Sequence, residues 1–182
     1  MFLEHGYTST TMDEVAARAR ISKSSLYREH RSKSALYAAV VSDWAASGRD
    51  AMRPALDRLS DDSDVERGLT QLAEAMLRAM LSPVVVEMRR LVVNEAKSQP
   101  QVAGAYLKES WDRNIAGLAE ALEGMHHRGR LSIDDARAAA EDFTWLVVGG
   151  PLNSALLGVQ PNPAPDRPSR SVALFLARYG VH

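Results

Sequence analysis

TMDEVAARARISKSSLYREHRSK, Thr11 to Lys33, decides the fold of this 182-residue chain. Thr11 with Glu14 three residues on forms a capping box, and Met12, Val15, Ala16 and Ala19 recur at helical spacing, which predicts a helix from about Met12 to Arg18. Ala19, Arg20, Ile21 and Ser22 make a four-residue turn. Ser22 restarts capping, and Ile21, Leu26 and Tyr27 supply apolar anchors for a second, shorter helix. Two short helices joined this way are a helix-turn-helix, with the second helix free to enter a groove. From Arg18 to Lys33 stand six basic residues (Arg18, Arg20, Lys23, Arg28, Arg31, Lys33) against one acid, Glu29, in a chain of formal charge −1. A confined basic patch in a near-neutral protein points to an anionic partner.

Gly6-Tyr7, Thr10-Thr11-Met12, Ser22-Lys23-Ser24-Ser25-Leu26-Tyr27 and Ser32-Lys33-x-x-Leu36 together resemble the DNA-binding domain of the TetR family of transcriptional regulators. The resemblance covers about forty residues in register. It implies an all-α chain with a DNA-binding head at 1–45 and a helical ligand-binding and dimerisation body at 46–182. Three residues depart from the family pattern. Arg20 stands in the turn where Gly is usual, Glu29 where His is frequent, and His30 where a core Phe is usual. The Glu29 carboxylate weakens the expected contact with the DNA backbone. The His30 ring, if buried neutral, predicts a looser head whose stability rises with pH. Met1 to Gly6 resembles only the last turn of the family's first helix, so that helix is expected to be largely missing.

Thr11, Ser22, Lys23, Ser24, Ser25, Tyr27, Arg28 and Lys33 are the candidates for DNA contact. Lysines and hydroxyls at helix N-termini suit phosphate, whereas Ser24, Ser25 and Arg28 on the second helix can reach base edges. Tyr27 divides its surface, with a ring half in the core and a hydroxyl available to phosphate.

The rest of the composition narrows the alternatives. With 46 % hydrophobic residues the chain can build a real core, and without cysteine it has neither a disulfide framework nor a zinc finger. No long apolar run or export leader is apparent, so a cytoplasmic protein with no membrane partner is expected.

After Lys33, Leu36, Val40 and Trp44 mark one long helix capped by Ser32 and ending or kinking near Pro54. By resemblance this helix links head to body. Ser60 to Asp64 is a polar break, followed by a helix carrying Val65, Leu69, Leu72, Met76 and Met80 up to Ser82-Pro83. Pro83 opens another, with Val84, Met88, Leu91 and Val92 on a stripe that Glu95 shares. A single helix from Pro100 through Trp111 to Gly129 is predicted next, then one from Ser132, Asp134 and Asp135 through a kink at Gly149-Gly150-Pro151 to Gly158. Pro161 to Pro168 reads as a loop and Arg170 to Tyr179 as the last helix. No strand is predicted, and the helices number about nine.

Met76, Met80, Met88, Glu95, Trp111 and Trp145 are candidates for a small-molecule effector pocket, because methionine adapts its shape and a lone carboxylate orients a ligand. For any one of them alone, a plain bundle core is the better explanation. Phe143, Val147, Leu152, Leu156, Val172, Phe175, Leu176 and Tyr179 belong to helices apolar around more than one face and are the candidate homodimer interface. His126-His127 reads as a surface helix end, and the acid pairs Asp61-Asp62 and Asp134-Asp135 as helix-start charges rather than catalytic pairs. No nucleophile, base and orienter share usable spacing, so an enzyme is not expected, nor a cofactor or metal. The leading reading is a homodimeric, ligand-responsive repressor on a palindromic double-stranded operator. The competing one is an interaction or small-molecule-binding protein whose head has lost DNA binding.

Overall fold

The computed structural model describes residues 1–48 and 51–181, the Asp61 side chain excepted. Its regular structure is helical: α1 (Phe2–Ser9), α2 (Met12–Ala19), α3 (Lys23–Glu29), α4 (Lys33–Ser47), α5 (Arg53–Asp61), α6 (Val65–Met80), α7 (Pro83–Glu95), α8 (Pro100–Tyr106), α9 (Arg113–His127), α10 (Ala136–Leu156) and α11 (Arg167–Tyr179). A π-helical turn, Leu107–Asp112, joins α8 to α9. Among the described residues there is no strand beyond one isolated antiparallel bridge, Leu131 with Gly180. No single helix is long and apolar enough to cross a membrane.

Local chemistry sets the helix ends. Thr11, Ser22, Ser32, Asp64 and Asp135 each accept a backbone N–H three residues on, satisfying a donor that the first turn leaves open. Gly129 (φ 68°) and Gly158 (φ 82°) stop α9 and α10 in the left-handed conformation that a side chain would strain.

Prolines explain two of the differences from the sequence reading. Pro54 does not end the connector but sits in the first turn of a separate helix, α5, where its missing N–H costs nothing. Arg167 and Pro168 likewise form the first turn of α11 rather than the end of a loop. The helix expected to run unbroken from Pro100 is divided by the π turn, and the described helices number eleven rather than nine. At the start, α1 is broken at Gly6 (φ 75°, ψ 172°), and the helical stretch ahead of the break, residues 2–5, is about one turn long, as the sequence reading expects.

The chain forms two compact units, Met1–Gly48 with Glu87–Ser110, and Arg49–Val86 with Trp111–His182. In the first, Phe2, Met12, Leu26, Leu36 and Tyr37 bury their side chains together with Met88, Leu91 and Tyr106. The Phe2, Tyr7 and Tyr37 rings meet at centroid distances of 5.1 to 6.0 Å. Trp44 stacks on Tyr106 at 6.2 Å, and the Ser34 hydroxyl donates to Gln99 Oε1 at 2.7 Å.

The second unit is a bundle of α5, α6, α9, α10 and α11 around Leu69, Leu72, Leu122, Phe143 and Phe175. Pro151 lies inside α10 and has no N–H for the carbonyl four residues back, Val147 O. Arg167 supplies the missing donor. Its Nε reaches Val147 O at 2.6 Å and its Nη2 reaches Leu146 O at 3.0 Å, where the Ser171 hydroxyl also donates at 3.0 Å. The first turn of α11 thus closes the break that proline opens in α10.

Candidate nucleic-acid interface

The head is built from α2 and α3. Thr11 Oγ1 accepts the Glu14 N–H at 3.2 Å, while the Glu14 carboxylate accepts the Thr11 N–H and hydroxyl at 2.9 and 2.7 Å. The Thr11 hydroxyl and N–H hold the Glu14 carboxyl below the usual carboxylate range. Arg20 ends α2 in the left-handed region (φ 56°, ψ 38°), and Ile21 N–H closes the turn on Ala16 O at 3.1 Å. Among the described residues Arg20 is the only non-glycine with positive φ.

At the start of α3 the Ser22 hydroxyl accepts the Ser25 N–H at 3.1 Å, donates to Ser25 Oγ at 2.8 Å and lies 2.9 Å from Ser24 Oγ. Leu26 is buried, but the other two expected anchors are not, Ile21 being 44 % and Tyr27 47 % exposed. A seven-residue helix has room for one inward position on this face, and Leu26 takes it. Tyr27 keeps about half of its surface in solvent. Ser24 and Arg28, two residues to either side of Leu26 and four from each other, share the outer face.

The basic residues divide by partner. Arg18 forms a bidentate pair with Glu4, and the Lys23 ammonium lies 2.6 Å from Asp13. Lys33 is turned inward: its ammonium donates to Tyr7 O at 2.9 Å and Thr8 O at 3.1 Å, and lies 4.5 Å from the Tyr7 ring centroid. It binds the carbonyl end of α1 and so carries a structural duty besides any phosphate contact. Among the described residues Arg20, Arg28 and Arg31 are exposed and make no ion pair. Glu29 is exposed beside Arg28. His30 is the half-buried C-cap of α3 and not a fully buried core ring.

The effector candidates fall into both units. Met88 and Glu95 belong to the first, where Met88 is buried and Glu95 accepts the Ser98 hydroxyl at 2.8 Å. Met76, Met80, Trp111 and Trp145 belong to the second. There the Trp111 and Trp145 rings meet at 5.0 Å, and Trp145 is 54 % exposed. Trp111 lies in the π turn, a signal no periodicity reveals.

The candidate interface residues need correction. Phe143, Val147, Leu152, Val172, Phe175 and Tyr179 are buried in the core of their own unit, and Leu156 and Leu176 are half-buried. They are the faces of α10 and α11 that pack on each other and on α6 and α9, so they are already used. Besides Trp145, the large apolar side chains left in solvent here are Leu157, the C-cap of α10, at 73 % and Leu174 on α11 at 61 %. His126 is exposed at its helix end, and its Nδ1 accepts the Ile133 N–H at 3.2 Å. Asp62 pairs with Arg67, while the side chain of its neighbour Asp61 lies outside the described residues.

Comparison with known proteins extends this geometry. Residues 1–40 match the family model for bacterial regulatory proteins of the tetR family, and residues 67–181 match that for the C-terminal domain of AefR-like transcriptional repressors. A TetR-family regulator from Mesorhizobium loti MAFF303099 is similar over 99 % of this chain and 91 % of its own, with 28 % identity and a TM-score of 0.92. The flavonoid-responsive regulator FrrA is similar over 98 % of this chain and 91 % of its own, with 26 % identity and a TM-score of 0.77. A TetR regulator from Agrobacterium tumefaciens, at 23 % identity, covers 100 % of this chain and 89 % of its own, shares the fold, and has a TM-score of 0.74. The search of curated proteins returns no match. With a capped helix-turn-helix at one end and a matching helical body over more than half its length, the chain belongs to the TetR family of ligand-responsive, DNA-binding transcriptional regulators.

Proposed function

We propose that the protein is a homodimeric repressor that reads a palindromic operator through α3 and releases it on binding a planar aromatic effector. The observation that carries the reading is the outer face of α3, where Ser24 and the unpaired Arg28 stand opposite buried Leu26. Arginine is the residue most often matched to guanine in the major groove, and the serines beside it suit phosphate or base edges. One such helix reads only a few base pairs, so a specific operator calls for two heads about one DNA turn apart. Exposed Leu157, at the C-terminal end of α10, and Leu174 on α11 are the surface we assign to the second copy.

The aromatic effector is supported by Trp145, an exposed indole packed against Trp111 at 5.0 Å, on which a planar ring can stack, with adaptable Met76 in the same core. It is supported also by the likeness to FrrA, which responds to flavonoids. The test is fluorescence anisotropy of the labelled promoter fragment upstream of the protein's own gene, titrated with a flavonoid while tryptophan emission is followed. Binding that is reversed by the flavonoid, with quenching lost in Trp145→Phe, is expected. A complex insensitive to the flavonoid would contradict the effector assignment, and failure to bind would contradict the operator.

A further inference from the structure

The turn between α2 and α3 holds an arginine in a backbone conformation that favours glycine. Arg20 has φ 56° and ψ 38°, and its Cβ meets the carbonyl crowding that disfavours this region for L residues. Nothing among the described residues accounts for the choice. Arg20 is exposed, and among the described residues it makes no side-chain hydrogen bond or ion pair, whereas Arg18, Lys23 and Lys33 around it are all engaged. Strain kept at an exposed position without an internal partner points outward, to a function that the strained residue serves.

Position supplies that function. Arg20 stands two residues ahead of Ser22, the N-cap of α3, so the turn that carries this exposed side chain leads directly into the end of the helix with the serine hydroxyls. We infer that Arg20 is a phosphate-binding residue, a cation added at the turn that grips the DNA backbone flanking the groove entered by α3. This rests on the DNA-binding reading above and adds to it a contact that the α3 residues do not make. A guanidinium suits the role because it donates two parallel N–H groups to phosphate oxygens. A phosphate contact carries no base preference, so it raises affinity for every duplex alike.

The experiment separates strain from contact. Arg20→Gly removes both, Arg20→Asn removes the charge while tolerating the left-handed backbone, and Arg20→Lys keeps the charge. Thermal midpoints and the affinity for a labelled mixed-sequence duplex of about three helical turns would be measured between about 50 and 200 mM salt. Arg20→Gly is expected to melt at a higher temperature than the wild type yet bind more weakly. Each head should lose about fivefold in affinity near 150 mM salt and about one unit of slope in the log–log salt plot. Arg20→Asn should lose the same slope and Arg20→Lys should keep it. Wild-type slope in both neutral variants would overturn the inference while leaving the DNA-binding reading intact. A wild type that binds no duplex at low salt would overturn both.

Discussion

Arg167→Ala should be among the more damaging single changes at a partly solvated position of this protein. The guanidinium donates to Val147 O at 2.6 Å and Leu146 O at 3.0 Å, and Val147 O is the acceptor that Pro151 cannot serve. Hydrogen bonds from a charged donor contribute about 1.5 to 3 kcal/mol each, and partial exposure of Arg167 places these at the lower end, for a total of about 3 kcal/mol. For a chain of this size that is a fall in melting midpoint of about 6 to 12 °C. Arg167→Lys retains one donor and should lose about half as much. The decisive partner change is Pro151→Ala, which returns an N–H to position 151 and lets α10 satisfy Val147 O by itself. On that background Arg167→Ala should cost less by about 1 to 2 kcal/mol, a coupling measurable by a double-mutant cycle in urea. A cost that is the same with and without Pro151, or a midpoint within about 1 °C of the wild type, would refute the claim that Arg167 serves the proline-orphaned carbonyl.

Lys33→Met keeps an unbranched apolar side chain but removes the ammonium over Tyr7 and both its bonds to the end of α1, so it should lower stability by about 1 to 2 kcal/mol and leave the salt slope of DNA binding unchanged. A slope lower by about one unit, measured by anisotropy, would place Lys33 on phosphate instead. The Asp62 carboxyl is held below its ordinary value of 3.8 chiefly by hydrogen bonding from Arg67. A depressed folded value means that this stabilisation is full above the ordinary value and is lost as pH falls through the lower one. The gap in thermal midpoint between wild type and Asp62→Asn should therefore be widest near neutrality and close as pH falls through the depressed value of the folded chain, and a gap independent of pH would count against the pair. Leu157→Glu combined with Leu174→Glu should sediment as a helical monomer with weak operator affinity, whereas Phe175→Glu, at a site 1 % exposed, should lose its cooperative fold. A double variant that stays dimeric would move the interface elsewhere.

What could be read from the chain beforehand was what short-range chemistry decides. The capping box of Thr11 and Glu14, the serine caps of α3 and α4 and the Gly129 stop all act within a few residues, and each appears where the spacing puts it. Pro54 was ambiguous because proline both ends and begins helices, and only the following residues' packing selects the second role. The inward side of α10 and α11 was hidden for a different reason. Both helices are apolar on more than one face, so composition could not distinguish core Phe143 and Phe175 from exposed Leu157 and Leu174. Lys33 faces carbonyls 25 and 26 residues away in sequence, a contact no local pattern encodes. The division of the chain at residue 45 had the same limit, since residues 87–110 join the compact unit of the head through buried Met88, Leu91 and Tyr106. Arg20 was visible as a departure from glycine, but its significance needed the dihedral angles.

Selection from a pool of randomised duplexes, carried out in parallel with wild type and Arg28→Ala, tests most directly whether α3 reads DNA as one half of a two-headed protein. The wild type should enrich a palindrome whose half-sites are centred about one helical turn, or a multiple of it, apart. Arg28→Ala should relax the preference at one position in each half-site and weaken the selected operator by about 1 to 3 kcal/mol, as loss of a base contact does. An unpaired motif, or a palindrome enriched to the same degree by both proteins, would contradict the account.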